Sequence, residues 1–146
     1  MTSFIENNMG NKHRIVISGW YGDKNLGDEA QLAGIIKMIK GVSPTAEIII
    51  FSDNPQQTIK EHKVKAIQRT GTRYWFKRFN ELYQSDLLIL GGGTLLYDTS
   101  IGADQMVWLG DVITAKLAGT PTMYFNGGIG LLFNSVSKYC VKHVFN

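Results

Sequence analysis

Asp28 and Glu29 leave a glycine-rich turn together, in the stretch SGWYGDKNLGDEA of residues 18–30. Glycine turns between a β-branched run and a helical pattern usually cradle phosphate and deliver a lysine. Gly22 and Gly27 have the glycine spacing of such a loop, yet Asp28-Glu29 stands where Lys-Ser should follow. Two carboxylates would repel a β- or γ-phosphate, and from Gly19 the spacing also fails the dinucleotide pattern G-x-G-x-x-G. Nucleoside triphosphate hydrolysis and dinucleotide binding are poor fits. A neutral, hydroxyl-rich ligand suits the pair better. Carboxylates accept hydrogen bonds from hydroxyl pairs, and Asp28 or Glu29 can serve as base for an attacking hydroxyl. Trp20 or Tyr21 would stack on a sugar ring. Asp28 also fits a structural role as N-cap of the next helix, with Gln31 completing a capping box and Glu29 favoured by the helix dipole. A cap alone leaves Asn25 and the aromatics unexplained.

A second stretch, GGGTLLYD at residues 91–98, follows an apolar run directly. Gly91, Gly92 and Gly93 can turn backbone N–H groups onto an anion as a nest, with the Thr94 hydroxyl as an extra donor. Close helix–strand packing is the other use of such a triplet. Asp98 suits a sugar hydroxyl or the holding of a loop. The third glycine stretch is PTMYFNGGIG, residues 121–130. His13, His62 and His143 are scattered without metal-ligand spacing, and no metal site is expected.

These loops need elements to hold them. Short β-branched or apolar runs at 14–18, 47–51, 64–67, 86–90 and 121–126 read as strands. Between them lie helical patterns. In residues 28–40, Ala30, Leu32, Ala33, Ile36 and Ile39 recur at helical spacing, and Gly41 is the expected stop. Residues 56–62, 104–118 and 134–145 give further helices, with Gly119 ending the second of these. In residues 73–83, Trp75, Phe76, Phe79, Leu82 and Tyr83 share one helical arc beside Arg73 and Lys77. Aromatics beside basic residues suit a membrane surface or nucleic acid, but a core-facing stripe is the simpler expectation. Strands alternating with helices, the strands apolar throughout, predict a parallel sheet covered on both faces. The expected fold is α/β, a Rossmann-like doubly wound sheet of about five strands ordered 3-2-1-4-5. The glycine loops then meet at the carboxyl edge, where open α/β sheets bind ligands.

Composition narrows the function classes. The chain has 146 residues, a formal net charge of +3 and 18% charged residues. That bias is too mild to argue for nucleic acid. One cysteine, Cys140, excludes an intrachain disulfide and cysteine-cluster metal sites. No apolar run approaches the roughly 18 residues of a membrane span. Residues 1–12 are polar, without signal-peptide character, and read as a flexible leader before a domain at 13–146.

The stretches ISGWYGDKNLGDEAQL (17–32), SDLLILGGGTLLYD (85–98) and PTMYFNGGIG (121–130) occur in that order. Together they resemble the amino-terminal half of the polysaccharide pyruvyl transferases. That family carries an aromatic–glycine–Asn-x-Gly-Asp-Glu loop, a Gly-Gly-Gly-x-Leu-Leu-x-Asp loop and a Gly-Ile-Gly-Pro loop. Leu131 stands where the family usually has proline. The resemblance carries over Gly19, Tyr21, Asn25, Gly27, Asp28 and Glu29 in the first loop. It adds Gly91, Gly92, Gly93, Thr94 and Asp98 in the second, and Gly128, Ile129 and Gly130 in the third. Asp28 and Glu29 are the catalytic candidates, and the others would bind substrate.

The resemblance implies transfer of pyruvate as a ketal from phosphoenolpyruvate to a sugar of a cell-surface polysaccharide or its precursor. Phosphoenolpyruvate is the donor substrate, and no cofactor is expected. The acceptor would be a lipid-linked or nucleotide-linked sugar, met in the cytoplasm or at the inner face of the membrane with peripheral contact only. A GT-B-like enzyme of two Rossmann-like domains is also implied. The chain matches the first domain and ends at Phe145-Asn146 within a helical pattern. The expectation is therefore a partial enzyme, inactive alone, whose cationic donor site lies in a second domain or partner chain. The rival expectations are another GT-B-like glycosyltransferase domain and a non-catalytic sugar-binding module.

Overall fold

A computed structural model describes residues 12–98 and 104–144. Five strands form one parallel sheet: β1 (Arg14–Ser18), β2 (Glu47–Ser52), β3 (Lys65–Gln68), β4 (Leu87–Gly91) and β6 (Thr122–Phe125). Their order, β3-β2-β1-β4-β6, is the one expected from the alternation of strands and helices. A separate two-stranded ladder pairs β5 (Thr94–Leu96) with β7 (Gly128–Ile129), also in parallel. That ladder was not expected. Its strands are three and two residues long, too short to leave a periodic signal.

The strand residues alternate between two cores. Ile15 and Ile17 of β1 and Ile48 and Ile50 of β2 pack with Leu32, Ile35 and Ile39 of α1 (Leu26–Val42). Val16, Ile49, Phe51, Leu88 and Leu90 face the other way. They meet Leu82 of α3 (Trp75–Tyr83) and Trp108, Val112 and Ala115 of α4 (Asp104–Ala118). Successive side chains point to opposite faces of a strand, so continuous apolar runs demand helices on both sides. The short α2 (Pro55–His62) joins β2 to β3, and α5 (Ser135–Val144) packs against α4. No described helix is long and apolar enough to cross a membrane.

Three local expectations are corrected. The N-cap of α1 is Asn25, whose side chain accepts from the Gly27 N–H, so Asp28 already lies inside the first turn. Asparagine caps as well as aspartate, and starting one turn earlier buries Asp28. Helix α1 also runs through Gly41 to Val42; Ser43, restricted by the following Pro44, ends it. On its apolar face Ile35 is buried, whereas Ala30 and Ala33 are exposed. The third correction concerns the aromatic stripe of α3. Only Leu82 is buried there, while Phe76 and Tyr83 are 75% and 67% exposed. The inward positions belong to Leu82 and to Arg78, four residues before it, because Arg78 turns in to bond the Arg69 carbonyl and Asp111.

Asp111 of α4 is 2% exposed and fastens that helix to the sheet. It accepts from the Ser18 hydroxyl at 2.6 Å, and its other oxygen lies 3.4 Å from the Arg78 guanidinium. Arg69 lies over the Trp108 ring at 4.3 Å and pairs with Asp53. Burial, only partly offset by the Ser18 hydrogen bond and the two arginines, pushes the Asp111 carboxyl up to about 6. A carboxyl raised in the folded state favours folding while protonated, and that contribution is lost as pH rises through about 4 to about 6. The wild type should therefore lose about 3 kcal/mol relative to Asp111→Asn between pH 3 and 7. Urea unfolding of both proteins across that range measures the difference; a gap that does not change with pH refutes it.

Candidate functional site

At the carboxyl edge, β1 and β4 end side by side and their loops touch. Tyr21 is fully buried and donates its hydroxyl to the Gly91 carbonyl. Its own carbonyl accepts from the Asp53 N–H at 2.9 Å, so one residue ties the first loop to the ends of β4 and β2. Gly19 presses against the Gly91 carbonyl so closely that any side chain there would collide with it. The third loop joins through the β5–β7 ladder, where the Gly128 N–H donates to the Gly93 carbonyl at 2.9 Å. All three glycine stretches thus share one edge, as the sheet topology predicts.

A cavity of about 370 Å³ opens there, lined by Trp20, Asp23, Asn25, Asp28, Gly93, Thr94, Leu95 and Tyr97. Its size suits one small ligand unit. Asp28 is the notable wall. It is 7% exposed, and among the described residues nothing donates to its carboxylate. Burial, and then the nearby charge of Glu29, raises its affinity for a proton above that of an ordinary carboxylate. Gly93 adopts φ +74°, and a Cβ there would lie 2.7 Å from Asp28 Oδ1; glycine leaves the carboxylate its space. Trp20 is held by its partner Trp108, with ring centroids 5.9 Å apart, and donates to Asp23 at 3.2 Å. The cavity therefore offers carboxylates and an indole. That chemistry suits hydroxyls better than phosphate.

The remaining sequence candidates divide by position. Asn25 and Thr94 line the cavity. Tyr21 does not: it is a buried brace, so of the first loop's two aromatics Trp20 is the one in the cavity wall, with Tyr97 of the second loop also lining it. Glu29 also turns elsewhere, accepting from the Gly22 N–H at 2.8 Å and meeting His62 Nε2 at 2.7 Å. Gly27 is exposed in the first turn of α1. Gly91 is the last residue of β4, and Gly92, at φ +86°, packs against the Tyr21 ring. The expected nest is partly spent: Gln31 reaches across and accepts from the Gly93 N–H at 2.8 Å, instead of closing a capping box. Asp98 holds a loop, accepting from the Phe133 and Asn134 N–H groups at 2.5 and 2.7 Å. Ile129 is exposed, and the Gly130 N–H donates to the Leu96 carbonyl.

Asp23 and Tyr97 were not singled out from sequence; Gln31 was read only as a capping partner, and His62 was assigned no role. Gln31 and His62 act across 62 and 33 residues of chain, so no local pattern marks them. Ligand atoms of Glu29, Glu61 and His62 cluster within 4.8 Å of one another, and the Glu29–His62 pair already accounts for this cluster. None of the three lines the cavity.

A family model described as polysaccharide pyruvyl transferase matches residues 25–146. No curated protein and no solved structure matches significantly. If Tyr21 is the brace that the geometry makes it, Tyr21→Phe removes one partner from a buried carbonyl. The variant should lose about 1–3 kcal/mol in urea unfolding. Wild-type stability would deny that the hydroxyl joins the loops.

Proposed function

The chain belongs to the polysaccharide pyruvyl transferase family, and we propose that its cavity holds the acceptor sugar of a ketal-forming transfer from phosphoenolpyruvate. In that reaction two sugar hydroxyls bond to the central carbon of the enolpyruvyl group. The bond from that carbon to the phosphate oxygen breaks, and inorganic phosphate leaves. One hydroxyl proton ends on the methylene carbon, which becomes a methyl, and the other goes to a base or to the departing phosphate. Asp28 is the base in this scheme. Its support is one observation: a nearly buried carboxylate that no donor among the described residues reaches lines a cavity beside an indole. A raised proton affinity brings such a base nearer neutral pH, where it works best. Glu29 acts through Asp28, as a positioning residue that fixes the loop at Gly22 and adds charge nearby. Trp20 stacks on the ring, and Asn25 and Thr94 bond its hydroxyls.

The donor asks for different chemistry. Its phosphate and carboxylate call for converging cations. Of the loop residues at 19–28, 91–98 and 127–131, only Lys24 is cationic. We assign this domain the acceptor side of a two-lobed, GT-B-like transferase, with the donor held by cations from outside these loops. The donor is a cytoplasmic metabolite, so the reaction is assigned to the cytoplasm, and no cofactor is invoked. The scarcity of loop cations also supports a second reading, acceptor binding without transfer.

Calorimetric titration of this chain with nucleotide-linked and lipid-linked sugars tests the acceptor site. One of them should bind, and Asp28→Asn should weaken it about tenfold or more with the melting temperature nearly unchanged. Undiminished binding in that variant removes Asp28 from the site. With phosphoenolpyruvate added, this chain alone should release no phosphate. Phosphate release with a ketal product would overturn the assignment of the donor cations to another lobe.

A further inference from the structure

Helix α3 shows solvent an ordered aromatic surface. Trp75 stacks on Phe79 with centroids 5.6 Å apart, Phe79 stacks on Tyr83 at 6.4 Å, and Phe76 meets Trp75 edge-on at 5.0 Å. The surface continues onto α4. Gly110 and Thr114 share a cavity of about 360 Å³ with Trp75, and the exposed Ile113 and Leu117 follow them at helical spacing. An apolar face spanning two neighbouring helices marks a docking surface.

The charges around it select the partner. Arg73, Lys77 and Lys116 are exposed and join no ion pair among the described residues. The acids Glu81 and Asp111 are turned inward, onto Arg14 and Arg78. A face of aromatics with uncompensated cations opposes a second copy of itself, since an isologous contact would set cation against cation. Its rings already stack on one another, which leaves fewer free faces for nucleic-acid bases. It matches a lipid surface instead. Tryptophan and tyrosine settle at the water–hydrocarbon boundary, and lysine and arginine reach from there to anionic headgroups.

We propose that α3 and the exposed face of α4 dock the protein on an anionic lipid bilayer. This rests on the exposed surface alone and stands apart from the assignment of donor and acceptor. Docking would also orient the sugar cavity. Trp75 starts the aromatic ladder beside Arg69, Arg69 lies over Trp108, and Trp108 meets Trp20 in the cavity wall.

Flotation of the full chain with vesicles is the test. Phosphatidylcholine vesicles containing phosphatidylglycerol should bind it about tenfold or more tightly than phosphatidylcholine alone. Brominated acyl chains in the anionic vesicles should quench its tryptophan fluorescence, because Trp75 is exposed on this face while Trp108 is buried. Phe76→Ser with Tyr83→Ser should abolish flotation, and Arg73→Glu with Lys77→Glu should remove the preference for anionic lipid. Circular dichroism and melting should stay at wild-type values, since all four side chains are exposed. If a variant does not fold, quenching of the wild type decides alone. Absence of flotation and quenching on anionic vesicles, or flotation unaltered by both folded variants, overturns the proposal. So does concentration-dependent self-association that Phe76→Ser abolishes, which would give this face to a second copy.

Discussion

Everything at the ligand edge depends on how closely the ends of β1 and β4 approach. The strand order reverses there, the chain leaving β1 toward one face of the sheet and β4 toward the other. A crevice is the geometric result. Left alone, two loops diverging from a crevice would be held only at their roots. Gly19 lets the first loop lie against the Gly91 carbonyl, and the Tyr21 hydroxyl bonds that carbonyl from within the core. The first loop's share of the cavity wall is thereby tied to the end of β4.

Two buried aspartates show how surroundings decide the work of one side chain. Asp111 is enclosed by Ser18 and Arg78, and its charge is spent joining α4 to β1 and α3. Asp28 is also largely hidden from solvent, yet among the described residues no group donates to it and it lines a cavity. Desolvation raises the proton affinity of both. The partners of Asp111 make that shift a matter of stability. At Asp28 the shift bears on whatever enters the cavity.

Much of this was legible in the chain. Continuous runs such as RIVIS, EIIIFS and LLILG read as strands buried on both faces, and their alternation with helices pointed to the class and order of the sheet. Glycine at strand ends located the edge. What stayed hidden was contact between distant residues. A helical wheel shows that Trp75, Phe79 and Tyr83 share an arc, but not that Arg78 would claim the buried side to reach Asp111. Asp28 looked like a cap because Asn25, three residues earlier, carries an equivalent side chain and nothing local ranks the two. Likewise Gln31 suits a capping box by spacing, and only the fold brings the Gly93 N–H within its reach.

The β5–β7 ladder has a mechanical consequence. The second and third loops share its hydrogen bonds, and Asp98 clamps them again by accepting from Phe133 and Asn134 at the start of α5. They form a single flap, and Thr94 and Tyr97 on it line the cavity. Leu131 and Phe133 stand out from the far end of that flap, 72% and 71% exposed. Whatever meets these two side chains therefore meets the same flap whose other end walls the cavity.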